Sequence, residues 1–156
     1  MDKNPDAERI LKEHRKWTQW IAHPRILPLG NLVLTNRRLI FLNKIQSSPQ
    51  VKENIRTLAD SPTETVLNYA FTLHKDNFQI PLSAIGSVRV GTFRWNPLPH
   101  LCLSVVYFDG KNPSSGTVSF QFIRPIKQTT LKPQLIVDIG WVRAINKAIK
   151  ENESHS

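Results

Sequence analysis

Two short apolar runs, Leu32 to Leu34 and Leu39 to Leu42, flank the polar tripeptide Thr35-Asn36-Arg37, and this is the sharpest pattern in the chain. Asparagine tolerates the left-handed backbone of a tight turn, so the pattern predicts a β-hairpin across Gly30 to Asn43. Within each run the apolar residues are adjacent rather than alternating, which predicts strands covered on both faces. Arg38 falls where the second strand leaves its turn.

Further strands follow at short intervals. Phe78 to Leu82 reads as a strand, and Pro81, which cannot donate to a ladder, marks it as an edge. From Ser87 to Gly91, Val88 and Val90 alternate with Arg89; Leu101 to Phe108 is a longer apolar strand; Thr117 to Ile123 places Val118, Phe120 and Phe122 on one face. Asp109-Gly110 opens the turn between the last two. Helical signals interrupt this meander. Asn4-Pro5 with Asp6 and Glu8 predicts a short N-terminal helix running into a strand, with Ile10, Leu11, His14, Trp17 and Ile21 at near-helical spacing. Within a polar insertion at about 47–77, one helix starts at Pro49. A second starts at Ser61-Pro62-Thr63-Glu64, a capping box, and has Val66, Leu67, Ala70 and Phe71 on its apolar face. The insertion reads either as a lid completing the core or as an added functional element. After a linker at 125–131, a last helix over about 133–151 carries Leu135, Ile139, Val142, Ile145 and Ile149 on one stripe, while Asp138, Arg143, Lys147 and Lys150 avoid it. Residues 152–156 read as a frayed tail.

Gly30, the apolar strand, Thr35-Asn36, the basic pair Arg37-Arg38 and Leu39-Ile40-Phe41 together resemble the signature of the GRAM and pleckstrin-homology-like domains. The likeness extends to Phe78 to Ile85 and to the late helix with Trp141. It implies an α+β, mainly β fold: a curled antiparallel sheet or partly open barrel of about seven short strands, capped by a C-terminal helix, with a helical insertion between early strands. It also implies a single domain over 1–151, a first strand within Ile10 to Trp20, and Trp141 in the core. Lipid-binding members of the group hold phosphates around the first strands, which makes Arg37, Arg38 and Lys44 the nearest candidates. In GRAM-type sequences the basic pair also serves as an ion pair or covers a strand edge. The superfamily binds lipids, peptides and proteins, so the fold alone does not name a ligand.

Composition narrows the picture. A chain of 156 residues, 40% hydrophobic, can bury a core and is not disordered by composition. It has no apolar run near the roughly 18 to 20 residues that cross a bilayer. With a charged N-terminus and one cysteine, Cys102, a cytoplasmic protein is expected. The net charge is +9. Between His14 and Val51 the chain carries Arg15, Lys16, Arg25, Arg37, Arg38 and Lys44 with no acid, which favours anionic partners over a merely solvated surface only if those cations gather.

Signals for catalysis are sparse. The five histidines lack metal-motif spacing, the six glycines are isolated, the acids form no evident pair and Cys102 sits mid-strand among apolar residues. No cofactor or metal is expected, and no enzyme. The stretch Gly91 to His100 reads as a loop in which Phe93 and Trp95 press into an interface while Arg89 and Arg94 hold phosphates; its alternative is a strand carrying both aromatics into the core. The expectation is a non-catalytic module, cytoplasmic and peripheral to membranes. It would dock through Arg37, Arg38, Lys44, Arg89 and Arg94, with Phe93 and Trp95 adding apolar contact, onto anionic membrane lipids or a protein partner. Behind it stand a nucleic-acid-binding β-domain, an enzyme with an unrecognised site, and a homodimer through the insertion helices.

Overall fold

A computed structural model describes residues 4–21, 29–45, 48–95, 98–108, 115–122 and 134–154. In chain order the elements are β1 (Ile10–Trp20), β2 (Leu29–Thr35), β3 (Arg38–Asn43), α1 (Pro49–Thr57), α2 (Thr63–Thr72), β4 (Phe78–Pro81), a 3₁₀ turn (Leu82–Ala84), β5 (Ile85–Trp95), β6 (Leu98–Phe108), β7 (Ser115–Phe122) and α3 (Gln134–Ser154). All seven strands form one antiparallel sheet in the order β4-β3-β2-β1-β7-β6-β5. The mainly β, α+β expectation is met. β1 is the shared strand: it pairs with β2 from Ile10 to Gln19 and with β7 from Thr18 to Trp20. Register shifts after Ile10 and after His14 bend it, and bends of this kind let a sheet curl.

The hairpin of β2 and β3 pairs Gly30 with Asn43 and Leu34 with Leu39. A side chain at Gly30 would collide with the Leu42 carbonyl, so only glycine admits this approach of the two strands. Both faces are covered, as the adjacent apolar residues imply. Leu32, Leu34, Leu39 and Phe41 enter the main core with Phe120, Phe122, Trp141 and Ile145. Val33 and Ile40 face the other way and pack on Leu67 and Phe71 of α2. The insertion is therefore a second wall of the sheet. Asn77 ties it down: its side-chain oxygen accepts from the Asn43 backbone N–H at 2.6 Å, and its amide donates to the carbonyls of Ala70 and Phe71. α1 buries no residue and leans on α2 through Asn54 Nδ2, which donates to the Tyr69 hydroxyl.

Four sequence expectations need correction. The N-terminal segment is a turn followed by strand, because the Asn4 side chain accepts from the Asp6 N–H and closes a local turn instead of starting a helix. The capping box at Ser61 to Glu64 does not form: α2 starts at Thr63 without a side-chain cap, and Glu64 is drawn instead to Arg37. The last helix continues through 152–154; Trp141 and the stripe residues Val142, Ile145 and Ile149 pack on the core as expected, but Asp138 and Ala148 are buried too and Leu135 is 45% exposed. The Trp141 ring stacks on Phe122 at 5.3 Å, which widens the inward face beyond the expected stripe. Finally, the expected loop at Gly91 to His100 is strand: β5 runs to Trp95 and β6 resumes at Leu98.

Candidate functional site

The turn between β2 and β3 gathers the two arginines of the signature and ties Arg38 firmly into the fold, leaving Arg37 in an exposed pair. Thr35 Oγ1 accepts from the backbone N–H groups of Arg37 and Arg38 and donates to Glu8 Oε1 at 2.8 Å. Arg38 grips the same carboxylate twice, Nε to Oε1 at 2.7 Å and Nη2 to Oε2 at 2.9 Å. Its remaining donors reach Gln79 of β4 and Asn68 of α2. The Glu8 side chain is 1% exposed and that of Arg38 14%. Burial works to raise the Glu8 carboxyl, but hydrogen bonds from Arg38 and Thr35, with the charges of Arg38 and Arg37, outweigh it and hold the group below its ordinary value. Asn36 completes the clamp by accepting from the Arg9 N–H and donating to the Ala7 carbonyl. Arg37 bonds Glu64 at 3.2 Å and the Asp6 carbonyl. The motif that suggested a phosphate site thus fastens the N-terminal segment, α2 and β4 to one turn, and four of the five Arg38 N–H groups are bonded within the chain.

The other expected cations do not join it. Lys44 follows the far end of β3, roughly 20 Å from Arg38 at about 3.3 Å per strand residue. Arg89 is exposed on β5, whose neighbouring Val88 packs on the core side, so Arg89 faces outward. Arg94, Phe93 and Trp95 lie in β5 opposite Pro99, His100 and Leu98, and their side chains fall outside the described residues. Beside Arg37, a surface cleft of about 450 Å³ sets Arg9 and Arg37 against Asp6 and Glu151, leaving little net charge there.

A denser group of cations stands on α3. Arg143, Lys147 and Lys150 are exposed, and none makes an ion pair with a described residue. At 3.6 residues per turn, Ile136, Arg143, Lys147 and Lys150 fall within about 60° of arc along about 21 Å of helix. Ile136 is 56% exposed, so the stripe joins three cations to an apolar end. Sequence reasoning saw these cations only as residues avoiding the core stripe; their 4- and 3-residue spacing was the available signal.

At the β6–β7 turn end of the sheet, a second cavity of about 400 Å³ opens between β4 and β6–β7. Elsewhere, Cys102 is buried with Sγ 3.6 Å from Ser104 Oγ, which lies 3.2 Å from Ser119 Oγ. Among the described residues no group of His, Cys, Asp or Glu is placed to hold a metal ion, and no helix is long and apolar enough to cross a membrane. In comparison with known proteins, no family model and no curated protein matches the chain.

Proposed function

We propose that the chain is a non-catalytic, pleckstrin-homology-like binding module of the cytoplasm that docks onto an anionic membrane surface through the outward face of α3. The observation that carries this reading is the alignment of Arg143, Lys147 and Lys150, exposed and without carboxylate partners among the described residues, with exposed Ile136 on the same face. Cations beside apolar side chains on one helical face suit the headgroup zone, where charge meets phosphate and carbon meets acyl chain. Each lysine or arginine near such a surface contributes about 1 kcal/mol, so three give about 3 kcal/mol, or on the order of 100-fold in partitioning. An antiparallel sheet with a C-terminal helix is the architecture that the resemblance implied, and the turn around Arg38 makes an ion pair, one of the two roles it allowed.

Co-sedimentation with phosphatidylcholine vesicles, with and without phosphatidylserine, tests the reading. Pelleting is expected only with the anionic lipid, weakening as salt rises. The Arg143→Gln/Lys147→Gln/Lys150→Gln variant should stay in the supernatant while melting as the parent does. Equal pelleting with both vesicle types, or an unaffected variant, rejects it.

A further inference from the structure

The cavity at the β6–β7 turn end carries one charged side chain, Asp76, among its described lining residues. Its walls include Ile21, Phe78, Ile80 and Val118, with Tyr107 and Asp76 toward the polar side. At about 400 Å³ it falls in the range of about 300–1,000 Å³ typical of small-ligand pockets. In a chain of net charge +9, the described residues lining it include no lysine or arginine, and Asp76 is the one carboxylate. Lys44 and Lys75 are near the rim in sequence, but neither lines the cavity.

We propose that this cavity binds a small alkylammonium cation. The two aromatic side chains are held in place by the fold. Phe78 stacks on Phe41 at 5.6 Å and on Phe120 at 5.9 Å, which fixes it at the mouth of the core. Tyr107 lies across Gly116 of the neighbouring strand, where a Cβ would come within 2.7 Å of its ring. Only glycine at 116 leaves the phenol in that position. Phe78, already stacked on two other rings, supplies apolar wall, whereas the half-buried Tyr107 ring attracts a cation through its negative face and the exposed Asp76 carboxylate adds an opposite charge. A phosphate or carboxylate ligand would meet Asp76 with no compensating cation among the described wall residues. The aliphatic residues suit the alkyl part of the ligand, and the exposed rim admits it from solvent.

This binding is independent of the membrane reading, because the cavity is lined at Val118 of β7 whereas Trp141 of α3 stacks on Phe122, four residues along the strand. The test is a set of NMR titrations of the full chain with hexyltrimethylammonium, 1-hexanol and hexanoate, following the backbone amides of Gly116, Thr117 and Gln79. Hexyltrimethylammonium should bind about tenfold more tightly than either of the others, with shifts centred on those amides. Asp76→Asn and Tyr107→Leu should each bring its affinity down to that of hexanol, with circular dichroism confirming that both variants are folded. Glu64→Gln, on α2, should change nothing. Equal or tighter binding of hexanol or hexanoate, shifts elsewhere in the molecule, or no saturable binding of the ammonium overturns the proposal.

Discussion

The basic pair at the β2–β3 turn and the basic stripe on α3 have nearly the same composition and opposite situations. Arg38, 14% exposed, grips the buried Glu8 and has four of its five N–H groups bonded to Glu8, Gln79 and Asn68. Arg143, Lys147 and Lys150 face solvent and pair with no carboxylate among the described residues. Each of these cations adds equally to the net charge of the chain, yet the field a partner can feel comes from the exposed stripe. Net charge therefore says little until burial divides the cations between those that hold the fold together and those that remain outside it.

The contrast breaks most sharply at Glu8. Taking away one member of a buried, doubly hydrogen-bonded pair strands the other charge, a loss of about 3–5 kcal/mol. Glu8→Ala should lower stability by that amount, read as a fall in the urea midpoint. Replacing both members with apolar residues, Glu8→Leu with Arg38→Met, should recover much of it, since no charge is then left buried. Substituting any one of the three α3 cations by alanine should move stability by no more than about 0.5 kcal/mol. A Glu8→Ala variant as stable as the parent would remove the distinction between the two groups.

The wall beside Arg38 gives the next effect. Leu67 is 5% exposed between Val33 and Ile40, and α2 also supplies Asn68 to Arg38. Leu67→Ala should cost about 2–4 kcal/mol by leaving a cavity, in thermal or urea unfolding. A loss under about 1 kcal/mol would mean that α2 is a loosely attached cover rather than part of the turn's framework.

Acid should also separate the groups. The Glu8 carboxyl titrates below its ordinary value when folded, so its contribution is fully present above the unfolded value of about 4.3 and is lost as pH falls through the folded value. The urea midpoint of the parent should therefore fall more steeply below about pH 4.3 than that of Glu8→Gln, whose residue 8 does not titrate. Coincident pH profiles would show that Glu8 has the same affinity for protons folded and unfolded.

The hairpin, the covered faces of its strands and the inward Val118, Phe120 and Phe122 were legible in the sequence because strand periodicity is local. The inward face of α3 was legible only in part: Trp141, Val142, Ile145 and Ile149 pack on the core as expected, but the burial of Asp138 and the exposure of Leu135 depend on the Phe122 ring, supplied from another element. Arg38 shows the same limit from the side of function. Its basic character is visible at once, but the carboxylate that neutralises it comes from 30 residues earlier, in a segment whose Asn-Pro start imitates a helix. The cavity was equally hidden, since Ile21, Phe78, Tyr107 and Val118 come together only when β1, β4, β6 and β7 do.

The smallest effect makes the finest distinction, because it concerns an arginine beside the buried pair. Arg37 and Glu64 meet at 3.2 Å, but their side chains are 43% and 53% exposed. Water screens such a pair and both long side chains lose freedom in making it, so its coupling should be about 0.5 kcal/mol. A double-mutant cycle over Arg37→Ala and Glu64→Ala, read by urea unfolding, isolates that coupling from whatever each side chain does alone. It should shrink further in high salt, whereas the Glu8–Arg38 coupling, shielded from solvent, should hardly change. A coupling of roughly 2 kcal/mol or more, well above that of an exposed pair, would place Arg37 with Arg38 as a fold-holding charge. Neighbours in sequence would then share one role, and the line between held and free cations would run between the turn and the helix instead of between Arg38 and Arg37.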